Sequence, residues 1–281
     1  METFTGKVAA ITGAASGIGR TLALELARRG CHLALSDIDD TGLGETAEMA
    51  RRERVNVSTS RIDVADRDSV YAWADAVATT HGKVNLIFNN AGVGLSVHLD
   101  VVSQTDFEWI MGINFWGVVY GTQAFLPHLK MSGDGHVINM SSVLGMLAMP
   151  SQGAYSASKF AVRGYTEALR MELDLANEGV SATCVHPGGV ATNIVKSGRI
   201  DPSMAAQSGM TTDTQRAHAE GQIKGTTAES AALQILTAVE RNDRRVVIGK
   251  DARLMDTLVR LMGARYQAMA VRQHARMFPK V

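Results

Sequence analysis

Cysteine is scarce. The chain of 281 residues has two, Cys31 and Cys184, 153 positions apart and without a CxxC spacing. That excludes a disulfide scaffold and a cysteine-based metal site, and reads as two small buried hydrophobes in a reducing compartment. Net charge is missing as well: 28 basic and 28 acidic residues cancel, so no global field gathers nucleic acid or an anionic membrane. Proline is rare, with 5 residues, and aromatic residues make up only 5%. No run of 18 apolar residues occurs, which removes a membrane-spanning helix. The opening residues Met1 to Lys7 carry no basic patch followed by an apolar run, so no secretory signal is expected. What is present, 46% hydrophobic and 20% charged residues with 27 Gly, is the composition of a globular enzyme, expected to be soluble and cytoplasmic.

Short apolar runs of strand length alternate with longer segments of helical period. The runs are Val8–Thr12, His32–Ser36, Asn56–Arg61, Leu86–Asn89, His136–Met140, Ser181–His186 and Val246–Ile248. Between them lie helix-like segments such as Gly17–Arg29, Thr41–Arg52, Arg67–Thr79 and Ala154–Asn177. Strands apolar on both faces, alternating with helices, predict an α/β doubly wound Rossmann-type fold: seven parallel strands with helices on both faces. No linker or repeat interrupts them, so residues 1–249 read as one domain. Two regions break the alternation. Residues 188–225 show no clear strand and read as a substrate loop or lid. Residues 250–281 hold seven basic residues against Asp251 and Asp256. With Leu254, Leu258, Leu261, Met262 and Met269 at roughly helical spacing, they read as a basic amphipathic extension.

Thr12-Gly13-Ala14-Ala15-Ser16-Gly17-Ile18-Gly19 follows the first strand and opens the first helix. Gly13 permits a sharp turn, Gly17 a close approach to a pyrophosphate, and Gly19 close packing of helix on strand. The free N–H groups and partial positive charge of the helix start then suit phosphates. Asp37 ends the second strand region, 18 residues after Gly19. A carboxylate there accepts hydrogen bonds from the adenosine ribose hydroxyls and repels a 2′-phosphate, which selects NAD over NADP. Ser16 agrees, because Arg or Lys in the turn favours the extra phosphate. Arg20, in the opening turn of the helix, is expected to face solvent. Asp63 and Val64, after the third strand, are candidates for the adenine edge.

Tyr155 and Lys159 stand at i and i+4, on one face of a helix. Ser142 lies 13 residues upstream of Tyr155, just past the fifth strand, where ligands bind in a doubly wound sheet. Here the chain resembles the short-chain dehydrogenase/reductase family, in its single-domain branch of about 250 residues. The likeness is collinear from Gly6 to about Ile248. It runs through the TGxxxGxG turn, Asn89-Asn90-Ala91-Gly92, Asn114, Ser142, the YxxxK pair, and Pro187-Gly188 with Thr192.

The resemblance implies roles that the chemistry also asks for. A tyrosine with an ordinary pKa of about 10 is a poor base at neutral pH; a neighbouring Lys159 ammonium and the positive nicotinamide ring are expected to lower it. Tyr155 is then base for alcohol oxidation and acid for carbonyl reduction. Ser142 holds the substrate oxygen, and Ser141, its neighbour, is set aside on the family's spacing of 13. Ser156 and Ser158 are read as packing or surface residues. The family's scheme has Lys159 bind the nicotinamide ribose and Asn114 support a water that relays protons to it. Asn90, Ala91 and Gly92 bound the cofactor cleft, while Pro187, Gly188, Val190 and Thr192 take the nicotinamide end.

The substrate side, Val143 to Pro150 with Val93, Gly94 and Leu95, is apolar, with Leu144 and Met149 as wall candidates. No Arg or Lys occurs in 143–150 or 188–195, so the expected substrate is an apolar secondary alcohol or ketone. His98, His128, His136 and His186 show no ligand spacing, and no metal is expected. Homodimers or homotetramers are usual in the family. The extension has four readings: a cover for the cleft, a subunit contact, a peripheral membrane helix or a solvated one. Two alternatives stand beside an NAD-dependent dehydrogenase: an NADPH-dependent carbonyl or 3-ketoacyl reductase, and a non-catalytic dinucleotide-binding regulator.

Overall fold

The first strand, β1 (Val8–Thr12), is buried along its whole length. Its side chains alternate between two cores: Ala9 and Ile11 enter one, Val8 and Ala10 the other. Such a strand is satisfied only between two layers of helix. The computed structural model describes residues 3–204 and 225–277, with 211, 214, 216, 217 and 221 between them. It shows β1 as an inner strand of a seven-stranded parallel sheet together with β2 (His32–Asp37), β3 (Val57–Arg61), β4 (Leu86–Asn89), β6 (Gly135–Met140), β7 (Val180–Pro187) and β9 (Arg245–Ile248). Their order is β3-β2-β1-β4-β6-β7-β9. These are the seven strands expected from sequence, with each end displaced by no more than one residue. Only β3, at the sheet edge, is largely open to solvent, which is why its Ser58, Thr59, Ser60 and Arg61 are polar.

One helical layer comprises α1 (Gly17–Arg28), α2 (Asp40–Arg51) and α8 (Ala228–Glu240). The other comprises α3 (Arg67–His81), α5 (Gly117–Ser132) and α6 (Gly153–Ala176). Leu22 and Leu26 of α1 meet Ile235 and Val239 of α8 in the first core. In the second, Trp73 stands edge-on to Phe125, ring centroids 5.0 Å apart. A buried polar lattice stitches this second layer to the sheet: Asn89 Nδ2 donates to Asn139 Oδ1 (2.8 Å) and Thr122 Oγ1 (3.1 Å), and Asn139 Nδ2 donates to Thr166 Oγ1 (3.0 Å). Both cysteines are fully buried, and burial pushes each thiol up to about 12.

The region 188–225 departs from expectation. It contains a helical turn, α7 (Ile194–Ser197), and a strand, β8 (Arg199–Ile200), that pairs in parallel with β5 (Leu95–Ser96). Two residues are too few to leave a sequence period. Residues 205–210, 212, 213, 215, 218–220 and 222–224 of that loop lie outside the described residues. The extension forms two helices, α9 (Lys250–Met262) and α10 (Tyr266–Met277), divided at Gly263, whose φ of +52° breaks the first. The apolar stripe read from sequence does not face inward. Leu254 is 60% and Leu261 80% exposed, while Ala252, Val259 and Tyr266 pack on Val143, Met146 and Leu147.

His136, buried between β6 and β7, gives the fold a pH dependence. Thr183 Oγ1 donates to the Asp243 carbonyl, so the His136 ring N–H donates to Thr183 Oγ1 (2.8 Å). Burial lowers the ring pKa to about 3. The unfolded chain binds a proton near pH 6.5 that the folded chain refuses, so stability falls as pH drops through that value toward 3. Between neutrality and pH 4.5 this residue removes roughly 2–3 kcal/mol. Urea unfolding at the two pH values should show a smaller loss in His136→Gln than in the wild type.

Candidate active site

The carboxyl ends of β1 and β4 part where the sheet order reverses, and the glycine turn fills the gap. Gly13 adopts φ +66° and Gly17 φ +53°. A Cβ on Gly13 would lie 2.8 Å from Ala91 Cα, and one on Gly19 2.0 Å from the Gly13 carbonyl, so both contacts require glycine. Asn90 Nδ2 holds the turn by donating to the carbonyls of Thr12 (2.9 Å) and Gly13 (3.1 Å). Thr12 Oγ1 accepts the N–H groups of Asn90 and Ala91, both at 3.0 Å. Ile18 packs partly buried against the core. Ser16 begins α1 with its side chain spending no hydrogen bond on the cap.

Asp37 ends β2 beside this turn. One carboxylate oxygen accepts the Ala15 N–H (2.9 Å) and the other the Asp39 N–H (3.1 Å). Ser16, Gly17, Arg20, Asp39, Gly42 and Asn193 line a hollow of about 500 Å³. Arg20 does not simply face solvent. It donates to Thr46 Oγ1 (2.9 Å), the Gly42 carbonyl (3.1 Å) and Glu45 (2.9 Å), because the first turns of α2 bring three acceptors within its reach. Asp63 is exposed and accepts the Ala65 N–H (3.0 Å), while Val64 is buried. The open backbone at Gly13 and Gly17, the uncommitted start of α1 and the carboxylate at the β2 end fit a dinucleotide.

Four residues expected to act chemically converge beyond β4 and β6. Asn114 lies in a π-helical turn, Gly112–Trp116, between α4 (Gln104–Met111) and α5. Its Oδ1 accepts the Val93 N–H (2.8 Å), and its Nδ2 donates to the Val93 carbonyl (2.9 Å) and Ser158 Oγ (3.2 Å). Ser142 and Ser141 point apart, as neighbours in extended chain do: Ser141 Oγ donates to the Lys159 carbonyl (2.8 Å), whereas Ser142 acts on the Tyr155 phenol. Lys159 Nζ donates to the Met140 carbonyl (2.9 Å) and lies 5.8 Å from the centroid of the Tyr155 ring. A Cβ on Gly92 would crowd both Lys159 Nζ and Asn114 Oδ1, at 3.4 and 3.3 Å. Ser156 and Ser158 are both buried. Ser158 is more than packing: its hydroxyl donates to the Tyr155 carbonyl (2.7 Å) and ties that turn of α6 to Asn114.

The electrostatics differ from expectation in one respect. Burial raises the Tyr155 pKa, and the Ser142 hydroxyl lowers it only in part. Burial also lowers Lys159 to about 8. Removal from water disfavours phenolate and ammonium alike, an effect that residue spacing does not express.

The opposite wall is the segment after β7. Pro187 ends the strand, Gly188 N–H donates to the Ile248 carbonyl (2.9 Å), and Val190 is buried in a bridge to Thr226. Thr192 reaches the glycine turn: a Cβ on Gly17 would be 3.2 Å from its side chain. Leu144 and Leu95 join Tyr155 in one apolar cluster, while Met149 packs with Val143 and Ala252. Among the described residues no group of three or more His, Cys, Asp or Glu could hold a metal ion.

Two residues here escaped the sequence reading. Asp251, in the first turn of α9, accepts the Gly189 N–H (2.8 Å) and fixes the Pro187 turn. His186 of β7 is fully buried and pushed down to about 4 by burial. Its neutral ring donates from Nδ1 to the Ser142 carbonyl (3.0 Å), one residue past the last ladder bond between β6 and β7. Only the proximity of charged Asp251 to the end of β9 hinted at the first; nothing local marked the second.

A family model described as short chain dehydrogenase matches residues 7–202. SadH of Mycobacterium tuberculosis is 44% identical over 279 residues, 99% of each chain. A short-chain dehydrogenase/reductase from Burkholderia phymatum, solved in complex with NAD, superposes with a TM-score of 0.86 at 32% identity over 95% of this chain and 97% of its own. An alcohol dehydrogenase from Thermococcus sibiricus complexed with 5-hydroxy-NADP gives 0.70 at 26% identity over 86% and 96%. The chain belongs to the short-chain dehydrogenase/reductase family. It is an oxidoreductase of Rossmann-type fold that binds a nicotinamide dinucleotide.

Asp251→Ala leaves the Gly189 N–H without its charged acceptor, a loss of about 1.5–3 kcal/mol. Dinucleotide titration of the purified variant should show affinity weakened about tenfold or more, with Asp251→Asn recovering most of it.

Proposed function

We propose that the chain is an NAD-dependent dehydrogenase acting on an apolar secondary alcohol or ketone, with Tyr155 as general acid and base. The observation that carries this reading is the Tyr155 phenol, buried between Ser142 and Lys159 at the edge of the apolar cluster of Val93, Leu95, Val97, Ile110 and Leu144. In this reading Gly13, Ser16, Gly17, Ile18 and Gly19 receive the pyrophosphate, and Asp37 accepts the ribose hydroxyls and turns away a 2′-phosphate. Asp63 and Val64 border the adenine, and Asn90, Ala91 and Gly92 form the floor. Pro187, Gly188, Val190 and Thr192 hold the nicotinamide end. The bound dinucleotide supplies the hydride acceptor or donor.

Ser142 donates a hydrogen bond to the substrate oxygen and stabilises charge that develops there. For carbonyl reduction Tyr155 gives its phenolic proton to that oxygen, and burial keeps the phenol protonated for the task. For oxidation it must first lose the proton. A charged Lys159 favours the phenolate, and with its pKa near 8 it remains mostly charged at neutral pH. Asn114 holds the Gly92–Val93 loop beside Lys159 and supports the proton route to solvent. Leu144 forms the substrate wall, with Met149 further out. The unit doing this is residues 1–249, with 250–281 an appended extension that reaches back through Asp251. The balance of 28 basic and 28 acidic residues speaks for a small-molecule partner over a nucleic acid, the composition for a cytoplasmic protein, and the family for a homodimer or homotetramer.

Following nicotinamide absorbance over a panel of apolar secondary alcohols and ketones tests the assignment. Tyr155→Phe should lower kcat by about 10²–10⁴-fold while NADH still binds by fluorescence; ordinary turnover in that variant rejects the mechanism. Turnover should also be faster with NADH than with NADPH, and Asp37→Ser should narrow the difference. A wild-type preference for NADPH overturns the role given to Asp37.

A further inference from the structure

The two helices of the extension carry an outward face that none of the described residues covers. The inner stripe of α9 packs on the loop after Ser142. The outer stripe, Leu254, Leu258 and Leu261, follows i, i+4, i+7 spacing. Its two ends are 60% and 80% exposed, and Met269 and Val271 of α10 are open as well. The unspent charge on the two helices has one sign, while Asp100 stands exposed in the neighbouring loop. Of the two carboxylates in α9, Asp251 is spent on the Gly189 N–H and Asp256 on Arg245 and Arg260. Among the described residues no carboxylate lies within ion-pair distance of Arg265, Arg272 or Arg276.

We propose that this face docks on the surface of an anionic phospholipid bilayer, with the leucine stripe entering the boundary between headgroups and acyl chains. An exposed apolar stripe flanked by unpaired arginines is the pattern that lies in such an interface. A second copy of the chain fits less well. A two-fold contact would set the same unpaired arginines against one another, with no carboxylate of the two helices free to answer them. No described helix is long and apolar enough to cross a membrane, so the contact is peripheral. The docked helices also carry the cleft with them. Tyr266 Oη accepts the Ala148 N–H (3.0 Å), and His274 of α10 stands 6.4 Å from His98, in the loop bearing exposed Leu99 and Val101. The substrate wall is therefore held beside the lipid, where an apolar alcohol or ketone partitions. That last consequence rests on the function proposed above; the docking itself does not.

The test is cosedimentation of the full chain with vesicles of phosphatidylcholine alone or mixed with phosphatidylglycerol. The bound fraction should be about tenfold higher on the anionic vesicles and fall at high salt. Leu254→Asp/Leu261→Asp and, separately, Arg265→Glu/Arg272→Glu should each reduce it about tenfold, with the circular dichroism spectrum unchanged. Failure to sediment with anionic vesicles at low salt overturns the proposal. So does binding that survives the leucine substitutions, or a halving of mass in light scattering on Leu261→Asp, which would give the face to a second copy. Because sedimentation needs no turnover, a chain that binds vesicles but oxidises no alcohol rejects the proposed function and leaves the docking intact.

Discussion

The site depends on the closure of one gap. Where β1 and β4 diverge, the Thr12 hydroxyl sits in the fork, accepting the N–H groups of Asn90 and Ala91 and donating to the Phe88 carbonyl (3.3 Å). Asn90 returns two donors to the carbonyls of Thr12 and Gly13. The glycine turn and the cleft floor are thereby one hydrogen-bonded unit, although 78 residues separate Thr12 from Asn90. Loss of either partner would leave sequestered backbone groups unpaired, which costs more than the bond itself contributes.

The reacting groups are held by a different means. Lys159 and Tyr155 are nearly without solvent contact, so their protonation answers to neighbours and not to bulk water. Each neighbour is fixed in turn: the Met140 carbonyl accepts from Lys159, the Val93 carbonyl and Ser158 hydroxyl accept from Asn114, and the Ser142 carbonyl accepts from His186. The sheet supplies this rigidity, since Met140, Ser142 and His186 lie at or just past the ends of adjacent, fully paired strands. A proton-transfer group gains from such a frame because its geometry is set before substrate arrives.

Much of this was legible in the residues. Strands buried on both faces announce themselves as continuous apolar runs, as the inner strands of the main sheet do; β3, polar at the sheet edge, carries no such run. The glycine turn and the Tyr155–Lys159 pair are local patterns, readable because a helix fixes which residues share a face. What escaped notice is non-local or polar. Asp251 acts across 62 residues on Gly189. The β5–β8 pair is too short to have a period. Arg20 found acceptors on α2 that no helical wheel of α1 contains. The apolar stripe of α9 was visible, but not its direction, because Ala252, Val259 and Tyr266 make a second stripe that competes for the inside. The Tyr155 pKa was misjudged for a related reason: neighbouring charges can be read from spacing, whereas depth of burial belongs to the finished fold.

The two thiols bear on how the protein meets its chemical surroundings. Cys31 and Cys184 are out of contact with solvent and resist ionisation. The thiolate is the species that peroxides, glutathione disulfide and alkylating reagents attack. An oxidoreductase built this way keeps its thiols outside the redox traffic it conducts through its cofactor. Its activity should follow the ratio of oxidised to reduced dinucleotide and ignore the thiol–disulfide balance of its compartment.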